Sequence, residues 1–179
     1  DLAEQAMEPG SREALVPCVP SGAVDPACAS VALEPIGRGL YRRPLTAVEL
    51  EHAVAVATRA STTLGDFHDG LEYGIALFLQ SPSFLFREEL GAPDPDAPGP
   101  ELRYDGFELA SRTSYFLWNA PPDQALLEAA AYGELEDEEG VRFQARRLLA
   151  DPRARDGARA FVEDWLNLRE LDRMVKDPT

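Results

Sequence analysis

Two cysteines, Cys18 and Cys28, are the side chains whose type and spacing point most directly to a defined chemistry. They lie in a polar, irregular stretch with Pro17, Pro20, Gly22 and Pro26, where a buried structural thiol would find no core. A disulfide between them would close a short loop, stabilise the fold by roughly 2.5–3 kcal/mol and require an oxidising compartment. Two unrelated thiols are the alternative. The pair forms no haem-attachment motif, and without nearby histidines it makes a poor zinc site.

Serines on a predicted helix, Ser111 and Ser114, would act as nucleophiles only with a general base and an oxyanion hole. The chain has two histidines, His52 and His68, and neither stands in a nucleophile motif. A haem or metal ligand role for a histidine would need a second ligand clustered with it in the sequence, and there is none. We therefore expect the serines to let helices approach closely and the histidines to be structural.

Residues 94–105 partly match the spacing of a calcium-binding loop. Asp94 and Asp96 take the first and third positions, and Asp105 takes the twelfth. Pro98 stands where a further ligand belongs, and Asp105 replaces the usual bidentate glutamate. Since prolines also oppose the winding that such a loop requires, the sequence does not favour a calcium site here.

Charged side chains are unevenly distributed in the C-terminal half. Residues 134–139 form a dense acidic run, and six arginines follow between Arg142 and Arg159. The pattern predicts two solvated helix faces whose charges pair across Asp151 and Asp156. A docking surface for a basic partner is the alternative interpretation.

Arg42, Arg43 and Arg112 are the other arginines with candidate roles. Arg42 and Arg43 could bind an anionic ligand or pair with acids of the same chain. Acidic residues outnumber Lys and Arg by 32 to 17, which favours internal ion pairs. We expect the same role for Arg112.

The composition limits the classes of function that these residues could serve. The chain has 179 residues, 45% of them hydrophobic and 27% charged, which is typical of a globular protein. A net charge of −15 argues against nucleic acid and against electrostatic docking on anionic membranes. No run approaches the roughly 18 apolar residues of a membrane span. Residue 1 is Asp and no signal peptide is visible, so we expect a mature or excised piece of a protein.

Apolar periodicity predicts an all-α fold of about seven short helices. Period-2 alternation of β-branched residues is nowhere convincing. Capping patterns open three of the helices, at Thr46, Asp69 and Asp105, each with a glutamate three residues later. The predicted helices span roughly residues 29–40, which Pro35 weakens, 47–60, 69–79, 105–118, 121–133, which Gly133 ends, 137–150 and 156–168. In the last of these, Phe161, Trp165 and Leu168 lie on one apolar face, joined by Ala158, Val162 and Leu166.

A segment with four prolines and two glycines, residues 91–100, predicts a linker between two packed helical subdomains. The N-terminal subdomain then spans residues 1–90 and includes the cysteine loop, and the C-terminal subdomain spans residues 101–179. We expect a set of large aromatic side chains to build the helical core and the interdomain contacts. These are Phe84, Phe86, Tyr115, Phe116, Trp118 and Trp165.

Several ordered blocks carry a resemblance to a known family. They are LYRRPLT at 40–46, LQSPSFLFRE at 79–88, ELASRTSYFLW at 108–118, Pro121-Pro122-Asp123, RLLADP at 147–152 and Trp165-Leu166. The chain resembles, over roughly residues 14–179, planctomycete-type cytochrome-associated bacterial proteins that carry the domain-of-unknown-function families numbered 1595 and 1592. The family pattern continues past residue 179, so we expect further chain beyond it.

The resemblance implies a large exported protein built from several such domains, often with c-type cytochrome modules in the same polypeptide. It implies no catalytic residue. We therefore expect an accessory, structural helical module in the periplasm or outside the cell, whose partners are neighbouring domains or chains. This sequence lacks a haem-attachment motif, so any haem c would lie outside it. The alternative is the helical part of a haem-dependent secreted or periplasmic oxidoreductase.

The disulfide hypothesis predicts the outcome of a thiol titration. The denatured, unreduced protein should show no reactive thiol, because Cys18 and Cys28 would be joined. The same protein after treatment with a reductant should show two and serves as the control. Two reactive thiols before reduction would contradict the hypothesis.

Overall fold

The chain folds almost entirely into helices, which confirms the predicted all-α class. The computed structural model describes residues 2–94 and 99–168. The described residues form ten helices instead of about seven, together with one two-stranded hairpin. The elements are α1 Leu2–Ala6, α2 Pro9–Leu15, α3 Pro26–Tyr41, α4 Ala47–Leu64, α5 Phe67–Gln80, α6 Pro82–Leu85, β1 Ala92–Pro93, β2 Leu102–Arg103, α7 Gly106–Trp118, α8 Gln124–Ala131, α9 Glu138–Ala150 and α10 Arg153–Trp165.

The chain divides into two compact units, Asp1–Glu88 and Glu89–Thr179. Each unit has its own hydrophobic core. The first core is formed by α1, α3, α4 and α5, and the second by residues of α7, α8 and α9 together with Leu135.

The disulfide between Cys18 and Cys28 is present, which confirms the sequence prediction. Cys28 lies in the first turn of α3, whose N-cap is Asp25. The Asp25 carboxylate accepts hydrogen bonds from the backbone N–H of Cys28 at 3.0 Å and of Ser21 at 2.9 Å. These bonds lower the pKa of Asp25 to about 2. The disulfide therefore joins the proline-rich loop to a helix start that is itself fixed by a cap.

Helix starts in the first unit follow the local capping patterns, with one correction. Thr46 and Glu49 form a complete capping box at the start of α4, as predicted. Helix α5 begins earlier than expected, because Asp66 and not Asp69 is the N-cap and accepts from the N–H groups of residues 68 and 69. Helix α3 continues through Pro35, which we expected to weaken it. Buried apolar residues on both sides of Pro35 outweigh the missing N–H.

The second unit opens with a hairpin that the sequence did not predict. Strand β1, in the range predicted as a linker, pairs antiparallel with β2. Asp105 and Glu108 then form the predicted capping box of α7. The Glu108 carboxylate also accepts from the N–H groups of Leu90 and Gly91, at 2.8 and 2.9 Å. One capping glutamate therefore fixes both the start of α7 and the chain that enters the hairpin.

Two further helix starts differ from the sequence prediction. Asp123, instead of the preceding proline pair, caps α8, and its side chain accepts from Leu126 N–H. Gly133, at φ 74°, follows the end of α8 as predicted. Helix α10 begins at Arg153, three residues before the predicted start at Asp156. The Asp151 carboxylate accepts from Arg153 N–H at 2.9 Å and so satisfies a donor of its first turn.

The aromatic residues expected in the core divide between the interior and the surface. Trp118 is buried at 2% exposure, and Phe84 packs half-buried against the first core. The expectation was wrong for Phe86, Phe116 and Trp165, which are exposed. Helix α7 turns Ala110, Ser111, Ser114 and Trp118 inward instead of Phe116, and Gly157 is the buried residue of α10. None of the helices in residues 2–94 and 99–168 combines the length and the apolar character that a bilayer crossing requires.

Helices in both units approach each other through glycine. A Cβ on Gly70 of α5 would lie 2.6 Å from the carbonyl oxygen of Ala57 in α4, closer than real Cβ contacts allow. A Cβ on Gly157 of α10 would collide with the carbonyl oxygen of Leu117 in α7. These positions have no room for a methyl group, so glycine is required by packing and not by a turn.

Replacing Gly70 by alanine tests this close approach. We expect Gly70→Ala to lower the free energy of unfolding by roughly 1–3 kcal/mol, because backbone atoms of α4 would have to move. The matched control is Gly39→Ala in α3, where nothing lies within 4 Å of the added Cβ. There we expect stabilisation of up to about 1 kcal/mol from helix propensity. Urea unfolding measures both, and equal effects at the two positions would contradict the packing argument.

Candidate functional site

The adjacent arginines Arg42 and Arg43 have different partners. Arg42 is 6% exposed and adopts a left-handed backbone conformation, φ 59°, at the end of α3. Its guanidinium donates to the carbonyl oxygens of Leu40 at 3.0 Å, Ser83 at 2.6 Å and Phe86 at 3.0 Å. The expected ion pair is therefore wrong for Arg42, because peptide carbonyls satisfy the guanidinium and bind α6 to α3.

Arg43 forms the ion pair that the sequence predicts. Its guanidinium donates to both carboxylate oxygens of Glu49, at 2.9 and 2.8 Å, and its Cζ lies 5.3 Å from the ring centre of Tyr41. Hydrogen bonds from Arg43, joined by the N–H of Thr46, lower the pKa of Glu49 to about 2. Arg42 thus holds the end of α3 against α6, Arg43 holds the start of α4, and neither offers its whole guanidinium to a ligand.

The serines of α7 are packing residues, as the sequence suggested. Ser111 and Ser114 are buried, and the Ser114 hydroxyl donates to the carbonyl oxygen of Ser111 at 3.1 Å. Within the described ranges no histidine hydrogen-bonds either hydroxyl. Arg112, on the exposed side of α7, pairs with Glu89 and lies 4.7 Å from the ring centre of Tyr104. Its predicted ion pair is confirmed.

The histidines lie at separate places on the first unit. His52 is exposed on α4. His68 is half-buried, with Nδ1 3.8 Å from Asp66 Oδ1 and its ring edge-on to Phe67. The part of the chain that the structure describes contains no group of three His, Cys, Asp or Glu placed to hold a metal ion. Two residues of the candidate calcium loop, Asp96 and Pro98, lie outside the described residues.

An indole side chain links the helices of the second unit. The Trp118 indole N–H donates to the carbonyl oxygen of Leu148 in α9 at 2.8 Å. The Arg153 guanidinium, in the first turn of α10, stacks over the Trp118 ring with Cζ 3.5 Å from its centre. The cation–π contact therefore holds α10 to α7, next to the close approach at Gly157. The indole hydrogen bond joins the same tryptophan to α9.

Carboxylates surround this contact and complete an ion-pair network. Arg147 donates to both oxygens of Asp123, at 2.7 and 2.9 Å. Arg153 pairs with Asp151 at 2.8 Å and lies 3.7 Å from Asp123. Hydrogen bonds from Arg147 lower the pKa of Asp123, and hydrogen bonds from Arg153 lower the pKa of Asp151 to about 2. The predicted pairing across Asp151 is confirmed.

The remaining acids and arginines pair only in part. Glu138 pairs with Arg142 one turn later on α9, and Asp137 caps that helix. Asp156 forms no ion pair with any residue in 2–94 or 99–168, so the predicted pairing across it was wrong. Exposed arginines on α9 and α10 also make no side-chain hydrogen bond or ion pair within those ranges. They are Arg146, Arg155 and Arg159.

An apolar stripe on α10 faces solvent. The residues predicted to share this face recur at helical spacing, but they are exposed, including Phe161 at 63% and Trp165 at 73%, except for Leu168, which is half-buried. The two rings stack, with centres 6.1 Å apart and planes 25° apart. Gly157, one helical turn before Phe161, lies directly against the backbone of α7. We call this surface the α10 stripe; it consists of Ala158, Phe161, Val162, Trp165 and Leu166.

The sequence located the α10 stripe but not its exposure. An apolar stripe predicts only that something covers it, which a core and a docking surface satisfy equally well. Gly157 is the sequence signal for the close contact with α7, because glycine inside a helix costs stability and is typical of a close approach to another backbone. The carbonyl-binding role of Arg42 left no comparable signal.

Comparison with protein families identifies both halves of the chain. Residues 28–89 match the family PSD5, protein of unknown function (DUF1595), and residues 104–179 match PSD4, protein of unknown function (DUF1592). The chain therefore carries a segment of each of these two families, in this order, as its resemblance implied. No curated protein and no solved structure matched the chain.

The ion-pair network predicts a pH-dependent effect of Asp123→Asn. Asparagine retains the N-cap of α8 but loses the charge that pairs with Arg147. We expect the free energy of unfolding at pH 7 to fall by roughly 1–2 kcal/mol, since this partly solvated pair is only in part screened by water.

The sign with pH follows from the lowered pKa of Asp123. Its ionised carboxylate stabilises the folded state above the usual pKa of 3.8, and the contribution is lost as the pH falls through the folded-state value. Urea unfolding at several pH values should therefore show that the difference in the free energy of unfolding between wild type and Asp123→Asn shrinks in acid. The control Asp156→Asn should change the free energy of unfolding little at any pH. If the effect of Asp123→Asn does not depend on pH, the charge argument is wrong.

Proposed function

We propose that the chain is an accessory, structural helical module of a larger exported bacterial protein associated with c-type cytochrome domains. It has no activity of its own, and the α10 stripe is the surface by which it docks on a neighbouring domain or chain. The observation that carries this proposal is the exposed, stacked pair Phe161 and Trp165. Large aromatic side chains dominate the energy of protein interfaces, whereas exposing them singly to water gains nothing.

The rigidity of α10 supports a docking role. Arg153 holds the first turn through Trp118 and Asp151, and Gly157 sets the middle of the helix directly on the backbone of α7. The stripe is therefore ordered before a partner binds, which lowers the entropy cost of association. Arg155 and Arg159 lie beside it without a partner among the described residues, so an interface there would have an apolar centre and a basic rim.

The compartment and the tandem organisation also support the proposal. A disulfide such as Cys18–Cys28 persists in oxidising compartments, which favours the periplasm or the extracellular space. The two family segments follow each other along one chain, which is typical of proteins built from domains in series. Haem c would belong to neighbouring domains of the complete polypeptide.

Replacing the two stacked rings tests the docking role. In the isolated 179-residue chain, Phe161→Ser with Trp165→Ser should change the free energy of unfolding by less than about 1 kcal/mol, because both side chains are already exposed. In the polypeptide encoded by the complete open reading frame, the same double variant should lose about 2 kcal/mol or more of interface stability. Limited proteolysis should then release this module faster, and thermal melting should show it unfolding at a lower temperature.

Phe116→Ser is the matched control, since Phe116 is 80% exposed but belongs to α7 and not to the stripe. This variant should leave the proteolysis and the thermal melting of the complete polypeptide unchanged. If the double variant also leaves the complete polypeptide unchanged, the α10 stripe is not a docking surface.

A visible spectrum of the complete polypeptide separates the accessory role from an oxidoreductase role. Under the accessory role, any Soret band and redox activity should persist when residues 1–179 are deleted. Redox activity that depends on residues 1–179 would instead favour the helical part of a haem-dependent oxidoreductase.

A further inference from the structure

A groove of about 380 Å³ lies on the first unit between α4 and α5. Its volume is in the range of pockets that take small organic ligands. We call it the α4 groove. Its lining comes from one face of α4, residues 52–64, together with Tyr73 of α5. Half-buried Val56 and Ala60 and exposed Leu64 give it an apolar lining.

Three polar side chains at this groove are available to a ligand. Arg59, His52 and Tyr73 are exposed, and none of them makes a side-chain hydrogen bond or ion pair with residues 2–94 or 99–168. The Thr63 hydroxyl, by contrast, already donates to the carbonyl oxygen of Arg59 at 3.0 Å. The groove therefore combines an apolar lining with a free guanidinium, an imidazole and a phenol.

The electrostatics of the groove differ from those of the chain as a whole. The chain carries a net charge of −15, yet no Asp or Glu is among the residues that line the α4 groove. Other arginines of the protein, such as Arg43 and Arg112, are paired with glutamates. A second groove, which shares Arg59, contains Glu51 and would repel an anion. The α4 groove is thus a local site of positive charge on an acidic surface.

We propose that the α4 groove binds a small organic carboxylate with an apolar body. The planar guanidinium of Arg59 matches a carboxylate and pairs with it through two parallel hydrogen bonds. Val56, Ala60 and Leu64 then cover the apolar body of the ligand, and the exposed Tyr73 ring covers its other side. The Arg59 guanidinium would repel a cationic ligand, and a neutral ligand would give it no charged partner.

Octanoate is the probe, because it joins one carboxylate to a short alkyl chain. Titrated into the ¹⁵N-labelled 179-residue chain, it should shift the amide signals of residues 52–64 and of Tyr73 in a saturable way. Octan-1-ol and octyltrimethylammonium, which share the chain but not the charge, should bind at least about tenfold more weakly, since each lacks the charge-assisted pair.

Variants of the groove separate the charge from the apolar lining. Arg59→Gln should weaken octanoate binding about tenfold and leave octan-1-ol binding unchanged. Arg59→Lys keeps the charge but loses the bidentate geometry, so its affinity for octanoate should lie between those of the wild type and Arg59→Gln. Ala60→Trp should fill the groove and remove binding of both probes. The matched control is Arg155→Gln, since Arg155 is an exposed arginine on α10 that also has no partner among the described residues.

Circular dichroism shows whether each variant keeps its helices, and wild-type titrations alone still decide the proposal if a variant fails to fold. Equal affinities for octanoate and octan-1-ol would overturn it. So would octanoate shifts that do not saturate or that centre on the α10 stripe, or an unchanged affinity in folded Arg59→Gln.

Discussion

Close contact between helix backbones is the constraint on which both units depend. Gly70 of α5 lies directly against the carbonyl of Ala57 in α4, and Gly157 of α10 lies against Leu117 of α7. Alanine and serine line the same regions, for example Ala53 of α4, which has no exposed surface. Small residues allow dispersion contacts along whole helix backbones, but each buries little apolar area of its own.

Alanine takes many of the core positions in both units, and polar links fix much of the remaining geometry. The buried guanidinium of Arg42 gathers three carbonyl oxygens at the ends of α3 and α6. The Trp118 indole joins α7 to α9 and supports Arg153 at the start of α10. In the first unit the disulfide of Cys18 and Cys28 fixes the loop before α3. Each of these links places a helix end, where backbone groups would otherwise be unsatisfied.

The same packing leaves large side chains on the surface, and there they define the two candidate sites. Gly157 of α10 lies against α7, while Phe161 and Trp165 remain outside and form an ordered apolar surface. Helix α4 turns Ala53 and Ala57 inward, which leaves Arg59 free beside the apolar groove with Tyr73. The chain, whose two halves match DUF1595 and DUF1592, thus exposes an ordered aromatic surface on α10 and an apolar groove beside a free guanidinium on α4.

The sequence by itself determined the features that depend on neighbouring residues. The capping boxes at Thr46 and Asp105, the helical class, the glycine after α8 and the Cys18–Cys28 pairing all follow from short spacings, because a helix cap or a small loop is complete within a few residues. Tertiary structure decided what those patterns leave open. Arg42 finds two of its three acceptors more than forty residues away, and the exposure of the α10 stripe depends on how α10 packs through Gly157 against α7. An amphipathic pattern shows which side of a helix avoids water, but only the packing of distant segments decides whether this chain or another partner covers it.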